Sequence, residues 1–171
     1  MTKKLYIESS IFIMLIISKL SSTFTNISPF IAIIVIGSYF IKSKYLLLCM
    51  IFLVQAASDF LYAIHIANLS VYLAYLMIVL SIYRLRTIFS LYNSIILGLI
   101  ANLIFFMIAN IGHFLVFSDS YTFNNFFITY MDSIDFTLRL VTSTVLFIMI
   151  IYALLAVSRK RLAKTRSTRV S

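Results

Sequence analysis

The sequence predicts an all-α membrane protein, a single bundle of six transmembrane helices with both the N- and the C-terminus in the cytoplasm. Hydrophobic residues make up 63% of the 171 residues and charged residues only 11%, whereas soluble domains carry about 25% charged residues. The apolar runs are continuous, while the strands of a membrane barrel would alternate in polarity. The chain has only three glycines and one proline, a composition that favours long helices.

A spanning helix needs about 20 mainly apolar residues, and six segments approach that length. The first segment contains Glu8 and Lys19 near its two ends, where long side chains can reach the membrane interface. The second carries Pro29 in its predicted first turn, where a missing N–H has little effect. The predicted spans are Leu5–Leu20, Ile27–Ile41, Tyr45–Ile64, Leu69–Tyr83, Tyr92–Phe117 and Phe136–Val157.

The basic residues lie in alternate connections, and this pattern predicts the orientation. Short segments rich in Lys and Arg stay in the cytoplasm. Twelve of the 14 basic residues precede the first span, follow the sixth, or join spans two to three and four to five; Lys19 and Arg139 are the exceptions. We therefore expect a multi-pass protein of the plasma (inner) membrane. Residues 1–158 form its transmembrane domain, and residues 159–171 form a basic cytoplasmic tail that contacts the headgroups of the lipid bilayer.

The longest polar connection, about Ser118–Asp135, joins the fifth and sixth spans on the outer side. It contains several aromatic residues, namely Phe123, Phe126, Phe127 and Tyr130. This composition predicts a short amphipathic helix that lies on or caps the bundle.

No catalytic motif is found along the chain. The sequence has no hydrolase elbow, phosphate-binding loop, zinc-protease motif or paired-cysteine motif. We therefore predict that the protein is not an enzyme, has no catalytic or metal-binding residues and uses no cofactor. The net charge of +9 does not indicate a nucleic-acid partner, because no aromatic residues interleave with the basic residues of the tail.

Polar residues inside the spans are informative, since each is unfavourable in lipid unless it has a partner. Three sets each share one helix face at 100° per residue and become more polar toward the outer side. They are Gln55, Ser58, Asp59 and Tyr62; Asn102, Asn110 and His113; and Asp132, Asp135 and Arg139. If the sets converge, they line a cavity that opens outward. Simple helix–helix contacts and an exposed Asp135–Arg139 ion pair are the structural alternatives.

Short motifs distributed along the chain resemble those of an uncharacterised family of small bacterial six-span transport proteins. The motifs are Asn26-Ile-Ser-Pro29-Phe-Ile-Ala32 with Gly37-Ser-Tyr39, Ser58-Asp59, His65, Tyr72, Phe105-Phe106, Asn110-Ile-Gly112, Tyr121-Thr122 and Thr129-Tyr130. That family is similar to the S components of energy-coupling factor transporters, which capture vitamins or related micronutrients. The resemblance implies a vitamin-like small-molecule solute and a partner complex of an energy-coupling transmembrane subunit with ATPases.

The leading hypothesis is therefore capture of a small vitamin-like solute from the outer side, followed by its uptake. Asp and Arg side chains would pair with charges of the solute, Asn and His would form hydrogen bonds, and Tyr would stack. The candidate ligand-binding residues are Asn26, Asp59, Tyr62, Asn110, His113, Tyr130 and Arg139. Two alternatives stay open: a membrane assembly or interaction subunit with no ligand pocket, and a small membrane enzyme acting on lipids.

Overall fold

The computed structural model describes residues 2–25, 28–62 and 65–167 and contains helices but no strands within them. This confirms the predicted all-α class. Among the described residues, four helices are long and apolar enough to cross a membrane, and α2 is a shorter apolar helix. The helices are α1 (Thr2–Thr25), α2 (Phe30–Phe40), α3 (Lys44–Tyr62), α4 (Asn68–Leu85), α5 (Leu91–Phe117), α6 (Phe123–Asp132) and α7 (Ile134–Ser167).

The second helix is shorter than the sequence predicts. Pro29 is its N-cap and not part of its first turn, so α2 begins at Phe30; the predicted start at Ile27 lies outside the described residues. Proline has no N–H and disfavours helical conformation in the residue before it, which explains why the helix begins after Pro29. The 11 residues of α2 extend over about 16 Å, roughly half of the hydrocarbon thickness of a bilayer.

The short α2 forms the centre of the bundle. All nine residues from Phe30 to Ser38 are buried, and α2 contacts α1, α3, α4, α5 and α7. A helix that is apolar on every side is stable only when it is surrounded. Side chains from these neighbours, including Leu15, Leu47, Ile78 and Ile148, are fully buried in the core that results.

Two helices begin at side-chain caps that the sequence supplies. The Ser90 hydroxyl accepts a hydrogen bond from the Asn93 N–H (3.2 Å) at the start of α5. Thr122 accepts one from the Asn125 N–H (3.3 Å) at the start of α6. Such caps satisfy N–H groups that have no partner within the helix. The structure thus confirms a helix in the predicted polar connection, where α6 contacts α5 and α7.

The connections rich in basic residues meet at one end of the bundle, which we call the basic end. The Tyr83 hydroxyl donates to the carbonyl of Ile41 (2.6 Å), which links the end of α4 to the connection that contains Lys42. The Arg86 guanidinium lies 3.8 Å from the centre of the Tyr83 ring. At the opposite end, His65 lies against Phe117, the last residue of α5, with ring centres 4.7 Å apart.

Helices α4 and α5 are in close contact near that opposite end. The Ser70 hydroxyl donates to the carbonyl of Ala67 (2.7 Å) and also lies 3.5 Å from the carbonyl of Ala109 on the other helix. Gly112 packs directly against Ser70, where a Cβ atom would overlap both the Oγ and the Cβ of the serine. A glycine is therefore required at this crossing.

Candidate functional site

A cavity of about 190 Å³ lies where α1, α2, α4, α5 and α7 meet, and we call it the lysine cavity. Ser28, Phe30 and Ile31 place it at the N-terminal end of α2. Because α2 begins only at Phe30, there is space before its first turn, and residues of the longer helices around it line that space. The lining residues are Lys19, Ser28, Phe30, Ile31, Tyr75, Phe105, Phe136 and Leu140.

Three aromatic rings in contact with one another form one side of the lysine cavity. The ring centres of Phe30 and Tyr75 are 5.2 Å apart, and those of Tyr75 and Phe105 are 5.6 Å apart. The Lys19 ammonium lies 5.5 Å from the centre of the Phe30 ring, within the range in which a ring face attracts a cation. Phe30 and Tyr75 are only 2% and 4% exposed, so packing holds both rings in place.

Asp59 lies near this cavity, and hydrogen bonds occupy both oxygens of its carboxylate. Gln55 Nε2 donates to Oδ1 (2.7 Å), and the Tyr72 hydroxyl donates to Oδ2 (2.8 Å). Phe52 packs edge-on against the Tyr72 ring, with centres 5.4 Å apart. Asp59 is not among the described residues that line the lysine cavity. The charge that faces the cavity is therefore that of Lys19.

A wider cavity of about 450 Å³, which we call the histidine cavity, lies between the start of α4, the C-terminal half of α5 and the start of α7. His65 and His113 both line it, each with its ring centre 4.7 Å from that of Phe117. Phe136 borders the histidine cavity as well as the lysine cavity. The two cavities are therefore neighbours that share one aromatic side chain.

The predicted ligand residues fall into separate places. Asn110 and His113 line the histidine cavity, although the Asn110 amide donates to the carbonyl of Phe106 in its own helix (2.8 Å). Asp59 belongs to the hydrogen-bonded cluster near the lysine cavity. Asn26 lies outside the described residues.

The other three predicted residues are not brought to either cavity. Tyr62 is 52% exposed at the end of α3. The Tyr130 hydroxyl donates to the carbonyl of Met107 (2.7 Å), so that it attaches α6 to α5, and burial raises the pKa of this phenol. Arg139 is exposed, and its Nε donates to the carbonyl of Asp135 (3.3 Å) within α7.

Sequence reasoning missed Lys19, Ser28, Tyr75 and Phe105 as cavity residues. Lys19 carried a usable signal, because it is a basic residue within an apolar helix and interrupts the alternation of basic connections. Ionisable residues inside spans most often mark a functional site. The aromatic residues carried no such signal, since rings at helical spacing are usual in any core.

The described lining of the lysine cavity combines one basic side chain, two hydroxyl groups and four aromatic rings, the kind of lining that binds a small molecule. Within the described part of the chain, no three His, Cys, Asp or Glu side chains are grouped so that they could hold a metal ion. The chemistry available in the lysine cavity is thus recognition by charge, hydrogen bonding and stacking.

Comparison with known proteins gives one match. A family described as "Family of unknown function (DUF6580)" matches residues 1–166, nearly the whole chain. The chain belongs to the DUF6580 family. No curated protein and no solved structure matches it. The description of the DUF6580 family names no activity.

Proposed function

We propose that this protein captures a small vitamin-like solute from the outer side of the plasma (inner) membrane and mediates its uptake. In this proposal the chain crosses the membrane six times, and both termini lie in the cytoplasm. The single observation that carries the proposal is the lysine cavity, which side chains from five helices and Ser28 line. An assembly subunit has no need of a recess that combines a charge with aromatic rings.

The arrangement of the two ends supports the orientation. Connections that contain Lys42, Arg84 and Arg86 come together at the basic end, as expected if that end faces the cytoplasm. The lysine cavity lies at the N-terminal end of α2, away from the basic end. A solute from the outer side would reach it next to Phe136, which also borders the wider histidine cavity.

The short α2 supports a transport function for a further reason. Transporters commonly bind their solutes where a membrane helix is interrupted or unusually short, because backbone groups and helix ends become available there. In this chain the 11-residue α2 is enclosed by longer helices, and its first residues line the lysine cavity.

Uptake can be tested without knowing the solute. Cells with and without the protein are incubated with a ¹³C-labelled extract of small metabolites, and the labelled solutes that accumulate are measured by mass spectrometry. We expect at least one labelled solute to accumulate only in cells that contain the protein. Leu140→Phe, which fills the lysine cavity, should abolish the accumulation because the space for the solute is lost.

Leu154→Phe is the matched control, because Leu154 is 66% exposed and the same substitution there leaves the cavity intact. The amounts of both variants in the membrane are compared by immunoblot. If no labelled solute depends on the protein, or if Leu140→Phe accumulates it as well as the wild type does, the proposed uptake is wrong.

The proposed partner is an energy-coupling transmembrane subunit with its ATPases, because the chain has no phosphate-binding loop of its own. Deleting that subunit in the same cells should abolish accumulation while binding of the solute to the protein persists. Unchanged accumulation would show that the protein works alone as a facilitator.

A further inference from the structure

We infer that α6 lies within the membrane leaflet opposite the basic end, and that Phe123, Phe127 and Met131 form an interaction surface for lipid acyl chains. We call these three residues the α6 stripe. Three features of α6 point to this surface: the side that faces away from α5, the depth at which α6 contacts α5, and the position of its polar side chains. No residue of α6 is among the described residues that line the lysine cavity, so this surface is separate from the proposed uptake.

One side of α6 packs against α5 through aromatic rings. Phe126 contacts Phe114 edge-on, with ring centres 5.3 Å apart. Tyr130 contacts Phe106 in the same way at 5.2 Å, and its hydroxyl donates to the carbonyl of Met107 (2.7 Å). These contacts fix the rotation of α6 about its own axis, and with it the direction in which every other side of the helix points.

The α6 stripe lies on another side of the helix and is 50–83% exposed. Its members occur at every fourth position and therefore share one side. Two of them are aromatic rings, whose exposure to water is unfavourable in proportion to their area. The polar residues Asn125 and Thr129 lie on the opposite side of α6 at 100° per residue. The helix thus has one apolar side that no contact with α5 accounts for.

Helix α6 runs back along α5 and does not lie across its end. Its contacts with α5 extend from Phe114 to Met107, about seven residues or roughly 10 Å along the helix axis. The apolar part of α5 begins after Asn93 and Ser94, and about 20 residues, the length that crosses a bilayer, reach from there to Phe114. Both contacts therefore lie within the membrane-crossing part of α5, and α6 lies at the depth of the acyl chains.

The α6 stripe extends a surface of α5 that lipid covers. Every fourth residue along one side of α5 is apolar and exposed, and a membrane helix meets acyl chains on such a side. These residues are Leu99, Leu103, Met107, Ile111 and Leu115. Helix α6 is attached at Met107, within this row, by the Tyr130 hydroxyl. The exposed apolar residues of α5 and α6 are therefore continuous with each other.

The polar side of α6 leads to the histidine cavity. Ser133 is the C-cap of α6 and follows Thr129 after four residues, so both lie on the same side. Ser133 lines the histidine cavity together with Asn110 and His113. One side of α6 thus borders a polar recess and another carries the exposed stripe, the arrangement of an amphipathic helix that lies in the membrane interface.

The test uses tryptophan fluorescence, because the chain has no tryptophan of its own. Phe127→Trp is made in the full-length protein and reconstituted into phosphatidylcholine vesicles with or without bromine on the acyl chains. Iodide, present on both sides of the vesicles, is the quencher in water. Leu103→Trp, on the exposed side of α5, is the lipid control. Asp119→Trp, in the exposed connection before α6, is the water control.

We expect brominated acyl chains to quench Phe127→Trp as strongly as Leu103→Trp, and iodide to leave both unchanged. Met131→Trp, on the same stripe, should give the same result and replaces Phe127→Trp if that variant does not insert into vesicles. Quenching by iodide to the extent found for Asp119→Trp would show that the stripe faces water and would overturn the inference. Protection from both quenchers would mean that protein, such as a second copy of the chain, covers the stripe, and would overturn it as well.

Discussion

The lysine cavity and the histidine cavity share Phe136 and differ in what they can recognise. The lysine cavity is small and lined by residues of five helices, and its Lys19 lies beside packed aromatic rings. The histidine cavity is more than twice as large, and its polar residues include Asn110, whose amide is engaged by its own helix. A charged side chain beside packed rings, more than the number of polar residues, distinguishes the lysine cavity from the histidine cavity.

The largest expected effect disrupts the helix crossing beside the histidine cavity. Gly112→Ala would place a Cβ atom on the Ser70 Cβ, which the backbone of α4 holds in place. We expect a loss of stability of about 3 kcal/mol or more, at the upper end of the usual effect of overpacking, measured as a lower melting temperature in detergent. Gly37→Ala is the control. The atom nearest to its added Cβ is a side-chain methyl of Ile11 at 3.2 Å, so the loss of stability should be smaller. Equal losses would contradict the tight crossing of α4 and α5.

A double-mutant cycle tests the cluster that supports the lysine cavity. Tyr72→Phe removes the hydrogen bond to Asp59 and keeps the ring, so we expect a loss of about 1.5–3 kcal/mol of stability. Asp59→Asn should retain its contact with Gln55. The Gln55 Oε1 atom is buried without a partner among the described residues, and it can accept a hydrogen bond from the new Asn amide if the Gln55 side chain turns.

The coupling between the two substitutions should be about 0.5–3 kcal/mol, obtained from the thermal stabilities of the two single variants and the double variant. A matched cycle of Tyr121→Phe with Asp59→Asn should show no coupling, because the Tyr121 hydroxyl donates to the carbonyl of Leu115. Additive effects of Tyr72→Phe and Asp59→Asn would show that the Tyr72–Asp59 hydrogen bond does not contribute.

The smallest expected effect separates the two cavities by uptake. Phe105→Leu removes one ring from the wall of the lysine cavity and should lower the protein-dependent accumulation of labelled solute by about two- to twelvefold, the contribution of one aromatic contact. His113→Ala alters a lining residue of the histidine cavity and should leave this accumulation within about twofold. If His113→Ala lowers the accumulation more than Phe105→Leu does, the solute binds in the histidine cavity.

The sequence predicts the helices well because their signal is local. The predicted Tyr92–Phe117 differs from α5 by one residue, and the aromatic connection forms α6 as expected. The predicted start of α2 was wrong, because the prediction followed the apolar composition and not the restriction that Pro29 places on the backbone of the residue before it.

The candidate site is less predictable, because it depends on how the helices face one another. Asp59 and Arg139 are both predicted to bind one solute, yet α7 leaves Arg139 exposed, and the basic residue that lines the lysine cavity is Lys19 of α1. Helical periodicity defines the face of one helix but does not identify the helix opposite it. The lysine cavity also depends on the short length of α2, and no periodic pattern in the sequence predicts that length.

The most direct test of the account is access to the lysine cavity from the outer side. Ser28→Cys is made in a Cys49→Ser background, which removes the only native thiol, and intact cells are treated with a small thiol reagent that cannot cross the membrane. Ser38→Cys, fully buried further along α2, is the control and should stay unlabelled. We predict that Ser28→Cys is labelled from outside in intact cells. Labelling that requires permeabilised cells would contradict access of a solute to this cavity from the outer side.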